Sequence, residues 1–184
     1  MSAAWKSIQT PLDEETIAGL RAGERVLLSG VVYTARDRAH ARISEMVKRG
    51  EFLPIDLKGS VLYYTGPSPA PPGGVIGAAG PTTSSRMDPF TEVMLDLGVR
   101  GMIGKGRRGR EAKELLRARN VVYFAAFGGA GAYYAQRIVE SSVAAFGDLG
   151  PEAIYRLRVK DFPVIVINDI HGGDFYEDVL RKRS

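Results

Sequence analysis

Short runs of β-branched and aromatic residues constrain this chain most: RVLLSGVVYTA (25–35), VLYYTGP (61–67), VVYFAAF (121–127) and PVIVIND (163–169). Such runs predict strands, and the unbroken apolar character of 25–35 predicts burial on both faces. AIYRLRVKDF (153–162) alternates in polarity, as a half-exposed strand does, and VIGAAG (75–80) is a further short strand candidate.

Helix-period segments lie between the runs. DEETIAGLRA (13–22) places acids in its first turn and is followed by Gly23. In DRAHARISEMVKRG (37–50), Ala39, Ile43, Met46 and Val47 share one helical face, with Gly50 as the stop. Thr34 and Asp37 have the spacing of a capping box for that helix. In MDPFTEVMLDLG (87–98), Asp88 is the expected N-cap and Pro89 the first helical residue. EAKELLRARN (111–120) reads as another helix and the C-terminus as a helix or tail, while GGAGAYYAQRIV (128–139) fits helix or strand. The expected architecture is mixed α/β, or α+β, three-layered or barrel-like, with residues 1–184 as one domain.

Composition removes several functions. Without cysteine the chain builds no disulfide and no thiolate metal site, and having only two histidines argues against a histidine-rich metal site. No apolar run approaches the length of a membrane span, and the N-terminal residues lack signal-peptide character, so the expected compartment is the cytoplasm. The net charge of +4 is spread out, apart from Lys105-Gly-Arg-Arg-Gly-Arg110, which argues against a nucleic-acid partner.

Two places share one design: a strand, a polar turn with an arginine, then a helix start. Arg36 and Asp37 follow the first run. Thr82, Thr83, Ser84, Ser85 and Arg86 precede Asp88. Arginine near a helix N-terminus opposes the macrodipole, and a bound anion reverses that sign. Guanidinium also matches a carboxylate bidentately. Two half-sites for an anionic ligand follow. Equally, Arg36 pairs with Asp37 or a distant acid, and the hydroxyls only cap the helix.

Lys105 in GMIGKG fails the phosphate-loop pattern, because Val99 and Gly106 stand where a glycine and a hydroxyl residue are required. It still suits a point-charge contact to an anion. Arg107, Arg108 and Arg110 read as a solvated basic loop. GGAG (128–131) lacks the third glycine and the acidic partner of a dinucleotide site. His40 lies one turn after Arg36 and either orients its ligand or is a satisfied core histidine. His171 reads as loop or surface, and Tyr33, Tyr133 and Tyr134 as core aromatics.

GPTTSSRMD, with LSGVVYTARDRAH before it and GMIGKG after it, resembles the class I, iron–sulfur-dependent fumarases. The likeness is to their C-terminal domain, a separate β subunit in two-subunit enzymes, and the L-tartrate dehydratase β subunit is a close relative. It covers nearly the whole chain. The resemblance implies a swivelling β/β/α domain and a hydro-lyase of the tricarboxylic acid cycle type, hydrating fumarate reversibly to L-malate. It implies a cysteine-bearing α subunit that holds a [4Fe–4S] cluster, with the two chains assembled as a dimer of heterodimers. It assigns Thr82 as catalytic base and Arg36, Arg86 and Lys105 as contacts to a small dicarboxylate, with Asp37, His40, Thr83 and Asp88 in support. No metal ligand falls on this chain. Many fumarases carry glycine where this chain has Ser85, and tartrate dehydratase β chains often carry Glu where it has Asp88. Asp88 leans toward fumarate, and Ser85 leaves L-tartrate or mesaconate open. A stand-alone anion-binding module is the alternative of a different class.

Overall fold

The computed structural model describes residues 4–182. The elements are β1 (Lys6–Gln9), α1 (Glu14–Ala18), β2 (Arg25–Thr34), α2 (Asp37–Lys48), β3 (Val61–Tyr63), a 3₁₀ helix (Ser84–Phe90), α3 (Thr91–Asp96), β4 (Gly101–Gly104), α4 (Arg110–Ala118), β5 (Val122–Ala125), α5 (Gly131–Ala135), β6 (Ile138–Ala145), a second 3₁₀ helix (Gly147–Glu152), β7 (Ile154–Asn168) and α6 (Phe175–Arg181). Both expected classes of element are present, and the fold is mixed α/β.

The strands run in the order β1-β2-β3-β4-β5-β7-β6, with an additional β2–β7 pairing. That extra pairing closes β2, β3, β4, β5 and β7 into a ring, with β1 and β6 as outriggers. Strands β2 to β5 are mutually parallel, while β7 runs antiparallel to β2 and β5. The long β7 serves the whole of β2, from Arg25↔Ile165 to Tyr33↔Arg156. Its register slips opposite Gly30, where φ is +115° and a side chain would strike the Thr10 backbone. On β7 the irregularity falls at Asp161, whose φ is +48° and whose N–H donates to Ser29 Oγ.

Alternation along the parallel strands builds two cores. Val61, Tyr63, Ile103, Val122 and Phe124 pack into one cluster, with the inward residues of β2 and β7. Leu62, Met102 and Tyr123 face the other way, onto Ala39 and Ile43 of α2, Met87, Met94 of α3 and Leu116 of α4. The sheet is therefore lined on one side by its own closure and on the other by helices.

Several local expectations need correction. Strand 25–35 is not buried on both faces: Val26, Leu28 and Val32 are buried, while Leu27, Val31 and Tyr33 are half-buried. VIGAAG forms no strand; Ser68 N–H donates to Ala78 O and Gly77 N–H to Ser68 O, folding the segment onto the loop before it. The capping box is absent: Thr34 Oγ1 donates to Ala153 O and accepts from Tyr155 N–H, and Arg36 occupies the N-cap position. Asp88 lies inside the 3₁₀ helix rather than at a helix start. GGAGAYYAQRIV resolves into both alternatives, α5 and then the start of β6. Tyr134 is a core aromatic, Tyr33 is half-buried and Tyr133 is exposed.

Candidate functional site

The segments that follow β2, β3, β4 and β5 meet at one rim of the parallel sheet. Arg36 and Asp37 follow β2 directly. The Thr82 N–H donates to Tyr64 O, immediately beyond β3, at 2.6 Å. Lys105 follows β4. Gly128 lies just beyond β5, and a Cβ there would touch the Lys105 stem at 3.6 Å. The carboxyl ends of parallel strands are where α/β folds place ligands, because loops converge there above a rigid floor.

Backbone pairing ties the second turn to the third. Lys105 N–H donates to Thr82 O at 3.2 Å and Ser84 N–H to Lys105 O at 2.9 Å, so Thr83 forms a parallel bridge with Lys105. The row of hydroxyls is thereby split: Ser84 is buried, Thr82 half-buried, Thr83 and Ser85 exposed. None of the four caps a helix through its side chain among the described residues. Thr82 Oγ1 has no hydrogen-bonding side-chain base among the described residues.

Side chains tie the first turn to the second. Arg86 grips Asp37 with both arms, Nε to Oδ1 at 3.0 Å and Nη2 to Oδ2 at 2.6 Å. Arg36 stands 3.6 Å from Asp37 Oδ2 and 3.6 Å from Glu152 Oε1. Glu152 also accepts from Arg38 N–H at 2.8 Å, which makes it the cap of α2 that the sequence assigned to Thr34. A side chain on Gly66 would meet Arg36 Nη1 at 2.7 Å, so glycine there leaves room for the guanidinium. Arg36 does pair with Asp37 and with a distant acid, and Arg36, Asp37 and Arg86 form one ionic cluster. Lys105 makes no ion pair among the described residues.

His40 is a core histidine. Its ring packs against Tyr64 and Phe90, and Nδ1 meets the Arg36 carbonyl at 3.0 Å. Burial pushes its pKa down to about 4, so the ring is neutral at neutral pH. His171 is exposed and contacts Arg21 and the Ala18 carbonyl, away from the rim.

Arg108 overturns the reading of a uniformly solvated basic loop. Its side chain is 0% exposed and bonds Asp88 Oδ1 through Nε and Thr91 Oγ1 through Nη2 at 2.6 Å. Asp88 also accepts from Gly109 N–H at 2.7 Å, so one carboxylate fastens the 3₁₀ helix to the start of α4. Arg107 and Arg110 are exposed, as expected. In the sequence Arg108 reads as solvated, and Glu152, Gly66 and Tyr123 go unnoticed, because each acts on residues distant along the chain.

The family model described as Fumarase C-terminus matches residues 4–179. The chain belongs to that family. Among curated relatives, a putative fumarate hydratase class I of Geobacillus stearothermophilus is 36% identical over 96% of this chain and 34% of its own length. Fumarate hydratase 2 of Leishmania major is 34% identical over 94% of this chain and 31% of its own. The chain thus spans about a third of these relatives. A putative L(+)-tartrate dehydratase subunit beta of Methanocaldococcus jannaschii is 38% identical over 93% of this chain and 91% of its own length.

For a fumarase C-terminus chain, the donor set matters as much as the arginines. No group of three or more His, Asp or Glu side chains among the described residues could hold a metal ion, and cysteine is absent. The described residues therefore do not fit an iron–sulfur cluster as its ligands. No helix among the described residues is long and apolar enough to cross a membrane.

Proposed function

We propose that this chain, as one domain over residues 1–184, is the β subunit of an iron–sulfur-dependent hydro-lyase that hydrates fumarate reversibly to L-malate. A cysteine-bearing α subunit would hold the [4Fe–4S] cluster, and a cytoplasmic dimer of heterodimers is the assembly. One observation carries the reading: the Arg36, Thr82–Arg86 and Lys105 turns converge on one rim at the carboxyl ends of adjacent parallel strands. A dicarboxylate needs at least two cations, and the rim offers three. Arg86 already displays the bidentate grip a carboxylate requires, with Asp37 in its fork. Thr82 is the group we assign to proton transfer next to a carboxylate. A threonine hydroxyl is a weak base without an activator. That activator would come from the α subunit.

L-Tartrate is the second reading, favoured by the relative in which this family segment is a separate chain of nearly the same extent. The deciding experiment measures anaerobic hydratase activity of the chain alone and with its cysteine-bearing partner, on fumarate and on L-tartrate. Activity only in the mixture, lost in Thr82→Ala and in Arg86→Ala, is expected. Full activity in both variants, or none in a mixture with an intact cluster, would overturn the proposal.

A further inference from the structure

We propose that Tyr123 is a positioning residue that sets the register between the Thr82–Arg86 turn and the Lys105 turn. The inference rests on the reading of those turns as two sides of a dicarboxylate site. Tyr123 sits in the middle of β5 and is fully buried. Its hydroxyl lies 2.8 Å from Ser84 Oγ and 2.7 Å from Gly106 O. A phenol has one proton, so it donates to the Gly106 carbonyl and accepts from the Ser84 hydroxyl. Ser84 belongs to the turn that carries Thr82 and Arg86; Gly106 is the residue after Lys105. One oxygen atom thus bridges the two turns from beneath.

The geometry above the bridge leaves little room for slippage. A side chain on Gly104 would collide with Ser84 Oγ, so only glycine there leaves room for the Ser84 hydroxyl beside Tyr123. The Arg108 guanidinium stands 5.4 Å from the Tyr123 ring centre, while its Nε holds Asp88 of the same 3₁₀ helix. Burial raises the Tyr123 pKa well above the ordinary phenol value, so the bridging proton stays in place at any working pH. The backbone pairs between Thr82, Ser84 and Lys105 would still exist without the phenol, but the direct tie from β5 to both turns would be lost. Removal of the Tyr123 oxygen takes the donor from the Gly106 carbonyl and the acceptor from the Ser84 hydroxyl, which loosens the two turns where their backbone pairs do not hold them.

Tyr123→Phe keeps the ring and tests the oxygen alone. In the enzyme reconstituted with its cysteine-bearing partner, Tyr123→Phe and Ser84→Ala should each lower kcat/KM by about tenfold or more, since small misplacements of a reacting group have effects of that size. The loss should persist at temperatures where the variants are fully folded. The double variant should be no worse than either single, because both break the same bridge. In the isolated chain, the Ser84 and Lys105 amides of Tyr123→Phe should exchange with deuterium faster than in the wild type, with distant amides unchanged. A lowered melting temperature with unchanged kcat/KM would reduce Tyr123 to a packing residue and overturn the proposal. Unchanged exchange at Ser84 and Lys105 would overturn it as well. A wild-type mixture without hydratase activity would remove the dicarboxylate reading instead, and the exchange rates would still decide whether the bridge sets the register.

Discussion

Replacing Arg108 by Met should cost this fold more than any other substitution in the basic loop. The side chain is completely enclosed, and its guanidinium bonds Asp88 and Thr91 and lies against the rings of Tyr64 and Tyr123. Met fills most of the volume, so the loss is electrostatic rather than a cavity. Removing one partner of a buried ion pair strands the other, at about 3–5 kcal/mol. Asp88 retains 20% exposure and its bond from Gly109 N–H, which favours the lower end, about 3 kcal/mol. For a chain of 184 residues that corresponds to a fall in Tm of roughly 6–12 °C. Thermal unfolding followed by circular dichroism measures it. Adding Asp88→Asn removes the stranded charge and should restore part of the loss, whereas Arg107→Met at the exposed neighbour should leave Tm nearly unchanged. An Arg108→Met variant that melts with the wild type would refute the buried pair and return Arg108 to the solvated loop.

Two further substitutions probe the floor of the rim. Gly104→Ala places a methyl group into Ser84 Oγ and within 2.8 Å of the Tyr64 ring, so overpacking should lower the unfolding free energy by about 2 kcal/mol, read from the urea midpoint. His40 has a folded pKa of about 4 against 6.5 when exposed, so the unfolded chain takes up the proton first as pH falls. The wild type should lose about 3 kcal/mol relative to His40→Phe between pH 6.5 and 4, with no further divergence below that window. Parallel stability curves for the two proteins would show that the ring is not buried neutral.

The strands were legible where apolar runs were long, and the limits of that signal are physical. RVLLSGVVYTA announced β2, but its apolar residues do not reveal that Leu27, Val31 and Tyr33 lie on a face the helices leave partly open. VIGAAG is as apolar as a strand, yet its backbone groups are satisfied by the Ser68 turn instead of a ladder. The site turns were legible because arginine, hydroxyls and a Gly-Lys-Gly turn stand directly after strands. Their supports were not. Glu152 caps α2 from 114 residues away, and Asp88 reaches Arg108 across 20 residues. A charge run such as KGRRGR carries no local mark that separates Arg108, turned inward, from Arg107 and Arg110.

The ionic cluster at the rim bears on how a dicarboxylate would be held. Arg86 and Arg36 are not idle cations: Asp37 occupies the fork of one and stands beside the other, and Glu152 faces Arg36 from the far side. That pairing keeps two guanidinium groups close together without net repulsion. A ligand carboxylate entering the Arg86 fork exchanges one carboxylate for another, and exchange at a half-exposed pair changes the free energy little. Net attraction must then come from a cation with no internal partner. Lys105 is in that position among the described residues, on the turn that Tyr123 braces from below. Under the proposed function, the arginines would therefore orient a dicarboxylate more than they attract it, and the attraction would rest on Lys105 and on what the proposed α subunit adds.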